Sequence, residues 1–307
     1  MKLLSVVIPV YYNEQSLPLL FSELTKVEQV LLAEGVQLQL IFVDDGSGDG
    51  SLGELLEIKR QRETTKVIKL ARNFGAIQAV KAGLQFVRGD CFMMLAADLQ
   101  DPPDLIPDMV EKWLAGAKYV LCAREARDDP ICTKVLAGIY YRLLRFSVVS
   151  DYPAGGYDIA LMDQALLPHL QNSGKNINIS LFAYWLGFKP EIIYYKRLRR
   201  VHGRSRWSFS KKLKLFIDSL LGFSIVPIRL ISLIGALVSL GSFGYGSVVV
   251  ISAMLGRSNV PGFPAVAALV SFLLGLVIIM LGVMGEYVWR ILDEVSSRPE
   301  NVIDEVY

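Results

Sequence analysis

The chain has 307 residues, of which 52% are hydrophobic and 20% are charged. This composition is too apolar for one ordinary soluble domain, and the apolar excess lies at the C-terminal end. The formal net charge of +2 excludes a general affinity for nucleic acid, so only local clusters of charge are informative.

The N-terminal half alternates between strand-like and helical patterns. Apolar, largely β-branched runs at residues 3–10, 38–43, 67–70 and 91–95 predict strands with helices between them. This alternation predicts an α/β domain with a parallel, doubly wound sheet. Met1 leads directly into the first strand without a secretory signal, so we expect this domain to stay in the cytoplasm.

Cysteine usage agrees with that compartment. The three cysteines, Cys91, Cys122 and Cys132, are odd in number and widely spaced. This pattern suggests neither a disulfide framework nor a zinc site. The cysteine pattern therefore fits a protein in a reducing compartment.

A polar cluster, Asp-Asp-Gly-Ser-Gly-Asp-Gly, follows the second strand at residues 44–50. A carboxylate there could accept hydrogen bonds from a base or ribose while the glycines let the backbone approach phosphate. The same residue types are common in ordinary turns, and that alternative stays open. The chain has neither a Gly-x-Gly-x-x-Gly nor a Walker sequence, which argues against a dinucleotide oxidoreductase and a P-loop enzyme.

A second polar cluster follows the strand at residues 91–95. Asp98 and Gln100 are two residues apart, so on an extended backbone their oxygens would point the same way. Carboxylate and amide oxygens suit Mg²⁺ or Mn²⁺, which take remaining ligands from water and substrate phosphates. Pro102 and Pro103 end the strand. The alternative is that these residues only form a turn and a helix cap.

Four motifs together resemble the inverting family 2 glycosyltransferases, which have a GT-A fold. They are Val-Ile-Pro-Val-Tyr-Tyr-Asn-Glu at residues 7–14, Val-Asp-Asp-Gly-Ser at 43–47, Arg-Asn-Phe-Gly at 72–75 and Ala-Asp-Leu-Gln-Asp-Pro-Pro at 97–103. Within that family the chain resembles the polyprenyl-phosphate glycosyltransferases, which include dolichol-phosphate mannosyltransferase and the bacterial GtrB-type glucosyltransferases. The resemblance covers nearly the whole length.

The resemblance implies roles for particular residues. The nucleotide pocket would be lined by Pro9, Tyr11, Glu14 and Asp45. Asp98 and Gln100 would hold Mg²⁺ or Mn²⁺ on the diphosphate. Many relatives have an Asp where this chain has Ala96, so Gln100 is expected to matter more here.

A third candidate is Asp158, in a segment that contains Gly155 and Gly156. The glycines would let backbone and substrate come close, and the resemblance places the acidic residue of this segment at the reaction centre.

The charged residues 124–130 resemble a mobile segment that closes over the acceptor, although such loops are more often only solvated. Helices are predicted to about residue 115 and at about 133–147, 163–172 and 177–188, and strands at 119–123 and 191–198.

The segment from residue 189 to residue 229 is strongly basic, with eleven Lys and Arg opposed only by Glu191 and Asp218. Apolar residues at helical spacing predict an interfacial helix at residues 209–228, lying on an anionic membrane surface. Arg200 and Ser205 resemble the family's Arg-x-x-Gly-x-Ser pattern, which implies that they bind the lipid phosphate.

Two uncharged runs follow, at residues 230–255 and 260–285, each 26 residues long. Each could cross the roughly 30 Å hydrocarbon layer as a helix. The connection between them is short, so both outer ends lie on one side, and the basic flank predicts that this side is cytoplasmic. We expect a multi-pass protein of the bacterial cytoplasmic (inner) membrane with both termini in the cytoplasm. Small residues in the helices would permit homo-oligomers.

The sequence therefore predicts a GT-A domain at residues 1–208, the interfacial helix at 209–228, a transmembrane hairpin at 229–290 and a cytoplasmic tail at 291–307. The expected activity is metal-dependent, inverting transfer of a hexose, with glucose from UDP-glucose as first choice, to polyprenyl (undecaprenyl) phosphate. One alternative is a related transferase that uses GDP-mannose or an amino-sugar donor. The other, favoured only by Ala96, is a catalytically idle scaffold that binds sugar nucleotides at the membrane.

Overall fold

The computed structural model describes residues 1–125, 131–153, 156–175, 177–196, 216–219, 221–224, 226–255, 263–296 and 298–307. The chain divides into two compact units. The first, called the sheet unit here, comprises Met1–Ser219 and Arg298–Tyr307. The second, the helical unit, comprises Leu220–Ser297.

Among the described residues, the sheet unit contains one eight-stranded mixed sheet. Its strands are β1 (Lys2–Val10), β2 (Val36–Asp44), β3 (Lys66–Leu70), β4 (Cys91–Met94), β5 (Tyr119–Arg124), β6 (Tyr157–Asp163), β7 (Glu191–Tyr195) and β8 (Ile303–Val306). Their order across the sheet is β7-β5-β6-β4-β1-β2-β3-β8. β6 is antiparallel to β4 and β5, and β8 is antiparallel to β3, whereas the remaining neighbours are parallel.

The helices of the sheet unit are α1 (Leu17–Ala33), α2 (Ser51–Gln61), α3 (Ala76–Leu84), α4 (Ile106–Leu114), α5 (Ile131–Ser147), α6 (Leu167–Gln171) and α7 (Ile179–Trp185). Short 3-10 turns precede α4 and α6. α1 is an example of how these helices pack on the sheet, because its apolar residues recur at helical spacing and form one buried face. The buried residues of α1 are Leu17, Leu20, Leu24, Val27 and Leu31.

The core lies around β1, β2 and β4. Val6, Val7 and Ile8 are completely buried in β1, as expected for a central strand covered on both faces. This explains why these strands are recognisable in the sequence as continuous apolar runs. The parallel framework therefore presents its carboxyl ends at one edge of the sheet.

The prediction of a wholly parallel sheet is wrong at two strands. β6 enters between β4 and β5 in the opposite direction, in a segment where the sequence predicts no strand. β8 adds an antiparallel edge strand where the sequence predicts a tail. Because β6 runs backwards, its first residues lie at the same edge as the carboxyl ends of its neighbours.

The helical unit contains α8 (Val226–Met254) and α9 (Phe263–Val295). Within them, Ile228–Val248 and Phe272–Val295 are long and apolar enough to cross a membrane, and neither is buried in the structure. A Cβ atom on Gly235 would lie 2.7 Å from Met280 Cε, so a small residue permits this approach between the two helices. The predicted tight connection between them lies outside the described residues.

Candidate active site

Three loops follow the neighbouring parallel strands β1, β2 and β3 at one edge of the sheet. They comprise residues 11–16, 45–50 and 71–75 and are called the first, second and third loops here. Open α/β sheets place their ligands at this edge. The predicted nucleotide-binding residues lie on the first two loops or directly before them: Pro9, Tyr11, Glu14 and Asp45.

Hydrogen bonds fasten the first loop to the second. The backbone N–H of Tyr12 donates to Ser47 Oγ at 3.1 Å, and the backbone N–H of Gly50 donates to Glu14 Oε2 at 3.1 Å. A Cβ atom on Gly48 would lie 2.7 Å from the Tyr12 hydroxyl, and one on Gly50 would lie 2.6 Å from Glu14 Oε1, so a larger residue at either position would displace the end of one of these side chains. The Glu14 carboxylate thus holds the two loops together.

Asp45 fastens the second loop to the third. It is 1% exposed, and its two carboxylate oxygens accept hydrogen bonds from the backbone N–H groups of Phe74, at 2.7 Å, and Gly75, at 2.9 Å. Burial raises the pKa of Asp45, while the two backbone hydrogen bonds act in the opposite direction. A carboxylate offers about four acceptor sites, so these two bonds leave capacity for a ligand donor. A direct contact with a nucleotide base remains a prediction.

The turn after β4 differs from the extended segment that the spacing of Asp98 and Gln100 suggested. Leu99, between them, has φ +57°, a left-handed conformation that is unusual for leucine. Asp98 Oδ1 accepts a hydrogen bond from the backbone N–H of Gln100 at 3.2 Å. The expectation of an extended backbone is therefore wrong, and a tight turn carries both predicted metal ligands.

The donor chemistry of this turn fits a hard cation that is only partly held by protein. Over the described part of the chain, no three His, Cys, Asp or Glu side chains are grouped so that they could hold a metal ion. One carboxylate and one amide, from Asp98 and Gln100, match the habit of Mg²⁺, which keeps waters and takes ligands from substrate phosphates. Ser16 Oγ donates to the carbonyl oxygen of Ala97 at 2.8 Å and so joins the turn to the first loop.

Asp158 lies at the start of β6, beside the carboxyl end of β5. Arg124 forms a two-pronged ion pair with it, from Nε to Oδ2 at 2.5 Å and from Nη2 to Oδ1 at 2.6 Å. Both side chains are 16% exposed. Burial opposes the charge on Arg124, but its hydrogen bond to Asp158 and the charge of that carboxylate raise the pKa of the guanidinium.

Tyr195, the last residue of β7, joins Asp158 to the turn after β4. Its hydroxyl lies 3.0 Å from Asp158 Oδ2 and 2.7 Å from Asp101 Oδ1. Burial raises the pKa of Tyr195, and the charge of Asp101 raises it further. The structure thus brings the predicted catalytic aspartate into one hydrogen-bonded group with a neighbour of the predicted metal ligands.

Tyr195 and Asp101 are not among the site residues predicted from the sequence, and Arg124 is predicted only as the first residue of the charged segment at 124–130. A signal for Arg124 was available, because it directly follows the buried run of β5 and so must lie at the carboxyl edge of the sheet. The residues predicted to bind the lipid phosphate, Arg200 and Ser205, lie outside the described residues, as do residues 126–130 of the charged loop and residues 209–215, 220 and 225 of the predicted interfacial helix.

Comparison with known proteins connects this arrangement to a family. The family model "Glycosyl transferase family 2" matches residues 5–167. An uncharacterized glycosyltransferase of Synechocystis sp. is 30% identical over 99% of this chain and 95% of its own. The uncharacterized glycosyltransferase YkcC of Bacillus subtilis is 32% identical over 99% and 94%. The SfII prophage-derived bactoprenol glucosyl transferase of Shigella flexneri is 29% identical over 98% and 97%.

Proposed function

The chain belongs to glycosyl transferase family 2, with the GT-A fold in its sheet unit, and from that premise we propose a specific reaction. The enzyme transfers a hexose, with glucose as first choice, from UDP-glucose to polyprenyl (undecaprenyl) phosphate at the cytoplasmic face of the membrane. Similarity to a bactoprenol glucosyl transferase over 98% of the chain supports this acceptor, because it extends through the two long helices.

The observation that carries the proposal is the hydrogen-bonded group at the carboxyl edge of the sheet. Asp158, paired with Arg124, is joined through Tyr195 to Asp101, the residue that follows Gln100. Diphosphate-binding and sugar-transferring functions need to be adjacent in such an enzyme, since the bond that breaks connects the diphosphate to the sugar. This group satisfies that requirement with side chains from four different segments.

The proposed reaction is a single in-line displacement with inversion. The acceptor phosphate attacks the anomeric carbon, and the nucleoside diphosphate leaves with the electron pair of the broken bond. A phosphate monoester has a second pKa of about 6, so this nucleophile is largely dianionic at neutral pH. The reaction therefore depends more on orientation and charge stabilisation than on proton removal.

In this proposal Asp98 and Gln100 would hold Mg²⁺ or Mn²⁺, which would neutralise negative charge on the leaving diphosphate. The chain's own contribution is a turn that offers one carboxylate, from Asp98, and one amide, from Gln100. Ala96 is half-buried and supplies no ligand. Gln100 is therefore proposed to contribute more to metal binding than it would in a relative with two aspartates.

Asp158 is proposed to orient the reacting groups. Both of its oxygens already accept hydrogen bonds from Arg124, and Oδ2 also lies next to the Tyr195 hydroxyl. A carboxylate engaged in this way is well placed to fix geometry and poorly placed to accept another proton. This fits an acceptor that needs little deprotonation.

The membrane topology is also part of the proposal. β8 pairs with β3, so the polypeptide leaves the sheet unit before α8 and returns to it after α9. A chain that crosses a membrane twice and returns to the same folded unit has both flanks on one side. With the basic segment before α8, the positive-inside tendency places that side in the cytoplasm. Arg200 and Ser205 are proposed to bind the lipid phosphate at this surface.

A donor panel tests the proposal. Full-length protein in liposomes containing undecaprenyl phosphate and Mn²⁺ would receive radiolabelled UDP-glucose, UDP-N-acetylglucosamine or GDP-mannose, and the label extracted with lipid would be counted. We expect UDP-glucose to give the highest rate. If another donor gave a higher rate, the proposed donor sugar would be wrong, but the proposed class of reaction would stand. Donor binding without transfer from any of the three would favour the idle scaffold.

A further inference from the structure

Tyr195 has an unusual position in the sheet unit. It lies opposite Arg124 in the parallel pairing of β7 with β5, is 5% exposed, and its ring packs in the main apolar core. Only the hydroxyl end can reach the polar edge where β7 ends. A buried phenol hydroxyl is costly unless it has a hydrogen-bond partner, so the partners of this one define its geometry.

Those partners come from two different parts of the chain. The hydroxyl lies 2.7 Å from Asp101 Oδ1, in the turn after β4, and 3.0 Å from Asp158 Oδ2, at the start of β6. A phenol has one proton, so it donates to one of the two carboxylates at a time, and its oxygen lies within hydrogen-bond distance of both. One atom of Tyr195 thus fixes the separation of two carboxyl groups that no short stretch of backbone connects.

The turn needs such a restraint. Asp101 is 5% exposed and follows directly after Gln100. Leu99, two residues before Asp101, has φ +57°, an unfavourable backbone state for leucine that persists only where surrounding contacts enforce it. The hydrogen bond from Tyr195, at the end of β7, to Asp101 is a contact of this kind.

We propose that Tyr195 is a positioning residue that holds the turn at residues 98–101 at a set distance from Asp158. The inference rests on the proposed function, in which the turn binds the leaving diphosphate and Asp158 orients the reacting centre. Tyr195 acts through these groups and need not touch the substrate. Its loss would misplace the leaving group relative to the acceptor, and a misplacement of about 1 Å can cost about 100-fold in rate.

The test removes only the hydroxyl, with Tyr195→Phe in the full-length protein. We expect kcat for glucosyl transfer to fall roughly 10- to 100-fold, while the donor KM and the Kd for UDP with Mn²⁺, measured by calorimetry, stay within about twofold. The matched control is Tyr184→Phe. Tyr184 is also 5% exposed, but its hydroxyl donates to the backbone carbonyl of Asp151 at 2.8 Å. We expect the control to keep kcat within about twofold.

A double-variant cycle with Asp101→Ala tests whether Tyr195 acts through the turn. If it does, the combined loss in kcat is clearly smaller than the product of the two single losses. Multiplicative losses would overturn the proposal, as would a kcat for Tyr195→Phe equal to that of Tyr184→Phe. A Tyr195→Phe protein that loses UDP binding in parallel with kcat would assign Tyr195 a general structural role instead. An inactive wild-type protein would overturn the proposed function itself, so the two failures are distinguishable.

Discussion

The charge on Asp158 is balanced locally. Arg124 supplies the opposite charge and Tyr195 a neutral hydroxyl, both at hydrogen-bond distance. A substitution that removes the charge but keeps the shape therefore leaves Arg124 without its counter-ion in a half-buried place.

For Asp158→Asn we expect kcat to fall by roughly 100-fold or more, with little change in nucleotide affinity, because the residue is proposed to lie at the reaction centre and not in the base pocket. Steady-state transfer assays and UDP titration measure the two quantities. The control is Asp163→Asn, at the other end of β6, where the carboxylate accepts a hydrogen bond from Trp113 Nε1. An unchanged rate for Asp158→Asn would reduce Asp158 to a turn residue.

Asp98→Ala should abolish transfer and weaken metal-dependent UDP binding while the unfolding temperature stays close to that of the wild type. Gln100→Ala should be more damaging here than in a relative with a second aspartate, since Ala96 offers no ligand. UDP binding measured with and without Mn²⁺ separates metal loss from fold loss. Asp104→Ala, an exposed residue in the same acidic stretch, is the control and should behave like wild type. Near-normal activity of Asp98→Ala would remove the metal assignment.

At the scale of loops and helices, close backbone approaches determine the shape of the proposed nucleotide pocket. Gly46 has φ +67°, and a Cβ atom there would lie 2.7 Å from the backbone carbon of Arg72. Backbone atoms of the third loop cannot move aside as a flexible side chain can. Gly46 therefore sets how closely the second and third loops meet.

We expect Gly46→Ala to weaken UDP binding and to lower the unfolding temperature, because it forces these two loops apart. Gly53→Ala is the matched control. Gly53 lies inside α2, and a Cβ atom there would meet nothing within 4 Å. That change should stabilise the protein by about 0.5–1 kcal/mol through helix propensity. Calorimetry measures the unfolding temperature of the two variants, and titration measures their affinity for UDP. Equal values for Gly46→Ala and Gly53→Ala would contradict the role proposed for Gly46.

How far the elements could be predicted depends on what stabilises them. β1, β2 and β4 are buried on both faces, so their continuous apolar runs reveal them in the sequence. β8 has only four residues and exists because β3 offers an unpaired edge, which no local pattern records. The role of Asp45 in fastening the third loop could not be predicted either, because its partners lie 29 and 30 positions later in an irregular loop.

At the scale of the whole molecule, the C-terminal segment closes the sheet unit. The buried ammonium group of Lys81, on α3, contacts Glu300 Oε2 at 2.7 Å and the carbonyl oxygens of Ser173 and Gly174. The backbone N–H of Ala71, directly before Arg72, donates to the carbonyl oxygen of Val302 at 2.9 Å. The last ten residues thus hold both α3 and the start of the third loop.

Glu300→Ala should lower the free energy of unfolding of the sheet unit by about 1–3 kcal/mol, because it leaves the buried Lys81 without its anionic partner. Chemical denaturation of the full-length protein measures the change. Glu305→Ala is the control, since Glu305 forms an exposed ion pair with Lys69, and pairs of that kind contribute little. Equal free energies of unfolding for the two variants would show that the buried pair contributes no more to stability than the exposed pair.

The return of the chain to the sheet unit after α9 has a consequence for biosynthesis. Ribosomes make the N-terminal part first, so seven strands of the sheet are complete before α8 and α9 have been translated. The eighth strand and the support for the third loop follow both helices in the chain, at residues 298–307. A newly made chain therefore completes this edge of the sheet only after both long helices have been translated, which couples maturation of the proposed nucleotide-binding edge to synthesis of the helical unit.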